Sequence, residues 1–112
     1  MNEFKGTQGP WEVDGVEVRA SASHPTERIC EMVPGFERAD ADLIAAAPDL
    51  FKELQLVLDY EEQSQFERWV EIADPSGDCE SVQRQWLESA EYEDFCDLWS
   101  GPIAAVAKAL GK

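Results

Sequence analysis

The sequence predicts an α+β fold in which an N-terminal three-stranded antiparallel sheet is packed by a C-terminal set of three to five helices. Apolar residues alternate around Asp14-Gly15, and an Asp-Gly pair in such a setting is the strongest short-range signal for a β-hairpin. Beyond residue 36, apolar residues recur at helical spacing instead. With 112 residues, 44% of them apolar, the chain is expected to form a single domain, 1–112.

The β part, residues 9–35, is expected to hold the three strands, whereas residues 1–8 carry no periodicity and are expected to fray. The residues predicted to face the core from the hairpin are Trp11, Val13, Val16 and Val18. After a polar loop, residues 28–33 resemble a third strand that ends at Pro34-Gly35. Because a sheet of three strands needs one face covered, a helix must pack on it.

The helical part, residues 36–58, is expected to divide at Pro48. Proline lacks a backbone N–H, so it suits the first turn of a helix better than its interior. The Ala-rich run before Pro48 therefore predicts one short helix. The residues that recur at helical spacing after it, and predict the covering helix, are Leu50, Leu54, Val57 and Leu58. That helix either runs on or restarts near Ser64, which begins a Ser-x-x-Glu capping box.

The acidic helical part, residues 59–99, combines carboxylates with aromatic residues. The aromatic residues Phe66, Trp69, Trp86, Tyr92, Phe95 and Trp99 follow helical spacing, so we interpret them as core. Asp78 is expected to cap one helix after the turn at 74–78, and a kink is expected near Ser89. The C-terminal helix is predicted at 102–111, with Gly111 as its stop.

Negative charge is concentrated in residues 59–97, which we call the acidic block. It holds 13 Asp and Glu side chains against Arg68 and Arg84, a net charge of −11 within a total of −15. If the block formed two antiparallel helices, it would carry one net charge per about 2.6 Å, from the rise of about 1.5 Å per residue; duplex DNA carries one per about 1.7 Å. Such charge repels nucleic acid and acidic membranes and favours a basic protein partner.

No catalytic signature is present, and the sequence predicts no catalytic residue, cofactor or metal ion. Cys30, Cys79 and Cys96 lack paired spacing, which indicates a reducing compartment. His24 is interpreted as a surface histidine, and the turn at 74–80 lacks the glycine and glutamate positions of an EF-hand loop. No apolar run is long enough to cross a membrane.

Two segments read together resemble a family of small phage and prophage proteins. Gly9-Pro10-Trp11 opens the predicted hairpin, and the run from Ala39 to Leu50 is similar to the family's Ala-Asn-Ala-x-Leu-Ile-Ala-Ala-Ala-Pro-Glu-Leu-Leu. The tail at 103–111 is similar to the way many members end. The positions that depart from the family pattern are Asp40, Asp49 and Phe51. The resemblance implies a phage origin and a small α+β scaffold, and it implies no catalytic residues.

Together, charge and resemblance lead to two functional hypotheses. The first is a non-enzymatic phage inhibitor of a host defence system, anti-CRISPR or anti-restriction, that binds a basic host protein or nucleoprotein effector, such as a CRISPR complex or a nuclease. The second is a phage accessory or assembly protein whose charge serves solubility. For the first, the predicted partner-binding residues are Glu61, Glu62, Glu67, Glu71, Glu88, Glu91, Glu93, Asp94 and Asp97, all pointing to solvent. We expect a monomer or homodimer in the host bacterial cytoplasm, with no direct contact to nucleic acid or membrane.

Overall fold

The computed structural model describes residues 4–21 and 27–112, in which three strands precede four helices. The strands are β1 (Trp11–Asp14), β2 (Glu17–Ala20) and β3 (Glu27–Glu31), and the helices are α1 (Arg38–Ala73), α2 (Cys79–Leu87), α3 (Ala90–Leu98) and α4 (Ser100–Ala109). This arrangement confirms the predicted α+β fold with an N-terminal sheet. The chain divides into two compact units, unit 1 (Met1–Glu53) and unit 2 (Leu54–Lys112), and the boundary falls within α1.

The hairpin of β1 and β2 turns at Gly15 and Val16, between the paired residues Asp14 and Glu17. Gly15 has a φ of 64°, and a positive φ at the first turn position is the type II′ pattern that requires glycine there. Val18 and Ala20 of β2 are fully buried. The prediction that Val16 faces the core is wrong, because it lies in the turn itself and is 49% exposed.

The third strand pairs antiparallel with β2 and gives the sheet order β1-β2-β3. Val18 pairs with Cys30 and Arg19 with Arg28, so Ile29 is an extra residue that forms a β-bulge. The strand ends at Glu31, two residues before the predicted end. The interpretation of His24 as a surface residue lies outside the described residues.

Helix α1 runs through Pro48, so the prediction that a helix ends there is wrong. Proline in a helix interior costs about 3 kcal/mol because it removes a backbone hydrogen bond. Helix-forming and apolar residues nevertheless continue on both sides of Pro48. Gly9 lies against the Pro48 ring, since a Cβ added at Gly9 would approach the Pro48 Cβ to 2.7 Å. The Phe4 and Phe51 ring centroids are 5.8 Å apart. Phe4 therefore packs on α1, contrary to the prediction that residues 1–8 fray; residues 1–3 of that prediction lie outside the described residues.

Local hydrogen bonds fix where the helices of unit 2 begin and end. The Asp78 carboxylate accepts from the Ser81 N–H at 2.8 Å and caps α2, as predicted. The Ser89 hydroxyl accepts from the Tyr92 N–H at 3.1 Å, so the predicted kink is the start of α3. Helix α4 begins two residues earlier than predicted and places Pro102 in its first turn. Gly111, with a φ of 80°, ends it in the left-handed conformation.

Six aromatic rings form the core of unit 2. Trp86 is at the centre, with ring centroids 5.7 Å from Phe66, 5.6 Å from Trp69 and 5.4 Å from Tyr92. The cluster extends beyond Tyr92. The Phe95 ring centroid lies 6.3 Å from that of Tyr92, and the Trp99 ring centroid lies 6.5 Å from that of Phe95. Trp69, Trp86 and Phe95 are buried, which confirms their interpretation as core, whereas Phe66, Tyr92 and Trp99 are half-buried at its edge. Among the residues described, no helix has the length and apolarity needed to cross a bilayer.

Candidate protein-interaction surface

The nine predicted partner-binding carboxylates all lie in unit 2, on or between α1, α2 and α3. Seven of them are exposed, as predicted: Glu67, Glu71, Glu88, Glu91, Glu93, Asp94 and Asp97. Glu61 and Glu62 are only half-exposed. The acidic block therefore occupies the end of α1, all of α2 and most of α3, and the two-helix arrangement used to estimate its charge spacing is wrong.

Helical periodicity explains why the carboxylates of α1 differ in exposure. At about 100° per residue, Glu67 and Glu71 lie about 160° and 200° around the helix from buried Trp69. Glu62 lies only about 20° from Trp69 by the same count, on the side of the aromatic core. The outward pair on α1 is thus Glu67 and Glu71, one turn apart.

Helix α3 presents a second outward pair. Glu93 and Asp97 lie about 160° and 200° from buried Phe95 at about 100° per residue. Glu91 is in the first turn of α3 and Glu88 is the C-cap of α2. Because Trp69 and Phe95 belong to one aromatic cluster, the helix faces opposite to them point away from that cluster. The outward pairs of α1 and α3 therefore both lie on the outside of unit 2.

The acidic block forms no ion pairs among the described residues. Neither Arg68 nor Arg84 lies within 4.0 Å of a carboxylate oxygen, and the ion pairs that the described residues form are all in unit 1. Its 13 carboxylates against two arginines thus carry charge that the fold does not neutralise.

In unit 1, by contrast, charged side chains form ion pairs with one another. Glu17 accepts from Arg19 at 2.7 Å and from Arg28 at 3.4 Å, and Arg28 also contacts Glu31 at 3.5 Å. Glu17 and Arg19 alternate along β2 with buried Val18 and Ala20, so they project from the other face of the sheet. Glu17, Arg19 and Arg28 on this face of unit 1 are therefore already paired.

A small polar group adjoins the aromatic core of unit 2. A hydrogen bond with the Cys96 side chain raises the pKa of Tyr92 to about 12, and burial and the negative charge of Glu62 act in the same direction. The half-exposed Glu62 therefore faces a tyrosine that stays protonated at neutral pH. This arrangement assigns Glu62 to the periphery of the core.

The raised pKa of Tyr92 gives a testable prediction. In a Tyr60→Phe variant, where Tyr92 is the single tyrosine, phenolate absorbance is expected to appear with a midpoint near pH 12 in the folded protein. In urea, the midpoint should fall to about 10. The folded state binds this proton more tightly, so its contribution to stability is complete below about pH 10 and is lost as pH rises toward 12. Adding Cys96→Ala should lower the folded-state midpoint; an unchanged midpoint would contradict this account.

Sequence reasoning missed two apolar residues on the outward side of α1. Leu56 is 48% exposed and Tyr60 is 72% exposed. By helical periodicity, both lie more than about 130° from Trp69, on the same side as Glu67 and Glu71. Leu50 and Val57 of the predicted covering stripe are 55% and 45% exposed, so the prediction that they face the core is wrong. Leu56 and Tyr60 fall outside that stripe, at positions that align with the outward carboxylates.

The turn at Asp74–Asp78 has no free set of metal ligands. Asp74 and Gly77 have φ angles of 45° and 111°, and the Asp78 carboxylate is used as the cap of α2. Across the described ranges, no group of three or more His, Cys, Asp or Glu side chains is arranged to hold a metal ion.

Comparison with known proteins gives one match. A family model described as Salmonella phage P22 protein Y8K6 matches residues 1–112. No curated protein and no solved structure matches the chain. The family match extends over the acidic block, which the resemblance in the sequence did not cover, and it supports the expectation of a small phage protein. The chain therefore belongs to the phage protein family described as Salmonella phage P22 protein Y8K6.

Proposed function

We propose that this phage-family protein is a non-enzymatic inhibitor of a host defence system, anti-CRISPR or anti-restriction, that binds a basic nucleic-acid-binding surface through unit 2. The observation that carries the proposal is the absence of ion pairs in the acidic block among the described residues. Effectors that bind nucleic acid line their channels with Lys and Arg. Unpaired carboxylates on ordered helices complement such a channel and accelerate association with it.

The directions of the carboxylates indicate what shape of partner suits them. The Glu67–Glu71 pair and the Glu93–Asp97 pair lie on the outer sides of two helices that share one core. Both pairs face away from that core, so a basic channel that encloses unit 2 can reach both. The proposal therefore favours a channel or cleft that normally encloses a nucleic-acid strand.

Competition binding tests this proposal. Purified CRISPR effector complexes and restriction enzymes are mixed with labelled target DNA, and DNA binding is followed by fluorescence anisotropy as the phage protein is added. At least one effector should lose DNA binding. Exposed ion pairs contribute about 0.2–1 kcal/mol each, so reversing four charges in Glu67→Lys, Glu71→Lys, Glu93→Lys and Asp97→Lys should weaken inhibition at least about fourfold at low salt.

The matched control reverses four exposed carboxylates of unit 1 that form no recorded ion pair. These changes are Glu12→Lys, Glu37→Lys, Asp49→Lys and Glu53→Lys. Both variants have the same net charge, so equal losses of inhibition would show that bulk charge acts rather than unit 2. If no basic effector loses DNA binding, the proposal is wrong.

A second candidate is a phage accessory or assembly protein that is acidic for solubility. The observation that favours it is the exposure of seven of the nine carboxylates on or between α1, α2 and α3, because exposed charge keeps a small protein soluble. Affinity capture from infected cells separates the candidates. Recovery of a phage structural protein would support the accessory role, whereas recovery of a host nuclease or CRISPR complex would support inhibition.

A further inference from the structure

The outward side of α1 in unit 2 carries a row that is apolar at one end and acidic at the other. The row consists of Leu56, Tyr60, Gln63, Glu67 and Glu71, and we call it the Tyr60 row. All five side chains are exposed. They lie about 120–200° around the helix from Trp69 and extend over about 22 Å, at about 1.5 Å per residue.

The apolar end of the row has the composition of a binding surface. Tyr60 is 72% exposed and Leu56 is 48% exposed, one helical turn apart, where their side chains are neighbours. Tyrosine is among the residues that contribute most to protein interfaces, because its large rigid ring buries much area at low entropic cost. No described aromatic ring stacks on Tyr60.

The acidic end of the row is ordered and unpaired. The Gln63 side-chain amide donates to a Glu67 carboxylate oxygen at 3.1 Å, which restricts the Glu67 side chain without neutralising it. Glu71 is one turn further along the helix. Neither carboxylate pairs with Lys or Arg in the part of the chain that is described.

The order of the row argues against a second copy of this chain as its occupant. In an antiparallel pairing of two such rows over their full length, Leu56 would face Glu71 and Tyr60 would face Glu67, which places apolar groups against desolvated carboxylates. In a parallel pairing, each carboxylate would face its own counterpart, which is repulsive. The complement of the row is a different segment, apolar at one end and cationic at the other.

We propose that the Tyr60 row docks an amphipathic basic segment of a partner protein. Apolar side chains of that segment cover Leu56 and Tyr60, and its Lys or Arg side chains pair with Glu67 and Glu71. The two ends of the row are separated by about 10 Å, the rise along the helix from Tyr60 to Glu67. This inference rests on the proposed function for the class of partner, a basic protein, and it names the part of unit 2 that recognises the partner.

Two helical peptides of identical composition test the docking. In the segregated peptide, two leucines one turn apart are followed by two arginines one turn apart, in the spacing of the row. In the interleaved peptide, leucines and arginines alternate along the same face. Fluorescence anisotropy of labelled peptides should give a Kd at least about tenfold lower for the segregated peptide, because only it satisfies both ends of the row.

Variants of the full chain identify the surface. Leu56→Ala with Tyr60→Ala should weaken binding of the segregated peptide at least about tenfold. Glu67→Gln with Glu71→Gln should weaken it several-fold at low salt, and that difference should shrink as salt rises. The matched control, Glu12→Gln with Glu37→Gln, removes the same charge from exposed carboxylates of unit 1 and should change the Kd less than twofold.

Three results would overturn the inference: no binding of the segregated peptide, equal binding of both peptides, or equal losses in the α1 charge variant and the unit 1 control variant. Sedimentation equilibrium adds a fourth. If the protein is a dimer that Leu56→Ala with Tyr60→Ala dissociates, the occupant of the row is a second copy and the basic segment is excluded.

Two outcomes separate a failure of this inference from a failure of the proposed function. If an effector loses DNA binding to the protein and to the Leu56→Ala, Tyr60→Ala variant alike, the inhibitor function stands and the Tyr60 row is not its docking surface. If no effector is inhibited but the segregated peptide binds as described, the docking surface stands and the inhibitor function is wrong.

Discussion

Replacement of Trp86 by alanine is expected to lower the free energy of unfolding by about 3–5 kcal/mol, the usual cost of truncating a buried tryptophan. Trp86 is 1% exposed and lies within 5.7 Å, between ring centroids, of Phe66, Trp69 and Tyr92. These rings come from α1 and α3, so the indole of α2 connects three helices. Urea denaturation followed by circular dichroism measures the loss.

The control for this variant is Tyr60→Ala, which also removes an aromatic side chain. Tyr60 is 72% exposed, and exposed substitutions usually change stability by about 0.5 kcal/mol or less. Domains of this size are stable by only about 5–15 kcal/mol, so the Trp86 variant should be largely unfolded at moderate urea while the Tyr60 variant remains folded. Similar losses in both variants would contradict a core centred on Trp86.

Replacement of Val18 by aspartate is expected to destabilise unit 1 by several kcal/mol. Val18 is fully buried on the central strand β2, where it pairs with Val13 on one side and Cys30 on the other. A carboxylate there loses its hydration without gaining a recorded cationic neighbour on that face, which is among the most costly changes in a protein core. Loss of β-structure in circular dichroism and a lower urea midpoint are the expected readouts.

Val16→Asp is the matched control, because it makes the same change two residues away in the same hairpin. Val16 lies in the turn and is 49% exposed, so its aspartate stays hydrated and adds the same charge to the protein. We expect a change in stability of at most about 1 kcal/mol. Equal destabilisation by the two aspartates would mean that net charge, rather than burial at Val18, sets the stability of the hairpin.

Features set by short-range chemistry were predictable from the sequence. The turn at Asp14-Gly15 follows from glycine's access to positive φ, the Asp78 cap follows from a side-chain oxygen placed before a helix, and the aromatic core follows from helical periodicity. The failure at Pro48 has a different cause. A local rule predicts a helix end there, but continuous helix-forming and apolar residues on both sides of Pro48 outweigh the one missing hydrogen bond.

The candidate surface was predictable in composition but not in direction. The excess of carboxylates in the acidic block is visible in the sequence, whereas their distribution over α1 and α3 depends on how the helices share the aromatic core. Leu56 and Tyr60 were missed because an apolar residue in a helical pattern is ordinarily assigned to the core. The ion pairs around Glu17 depend on strand register and on the bulge at Ile29, neither of which short-range sequence signals specify.

The unpaired state of the acidic block has a consequence for the thermodynamics of association. Carboxylates without internal partners are balanced by mobile cations from the solution, and a docking polycation sets those ions free, as it does at the phosphates of DNA. Their release favours binding through entropy. The slope of log Kd against log cation concentration then reports how many carboxylates a partner engages, so one titration can tell a contact through Glu67 and Glu71 alone from one that surrounds unit 2.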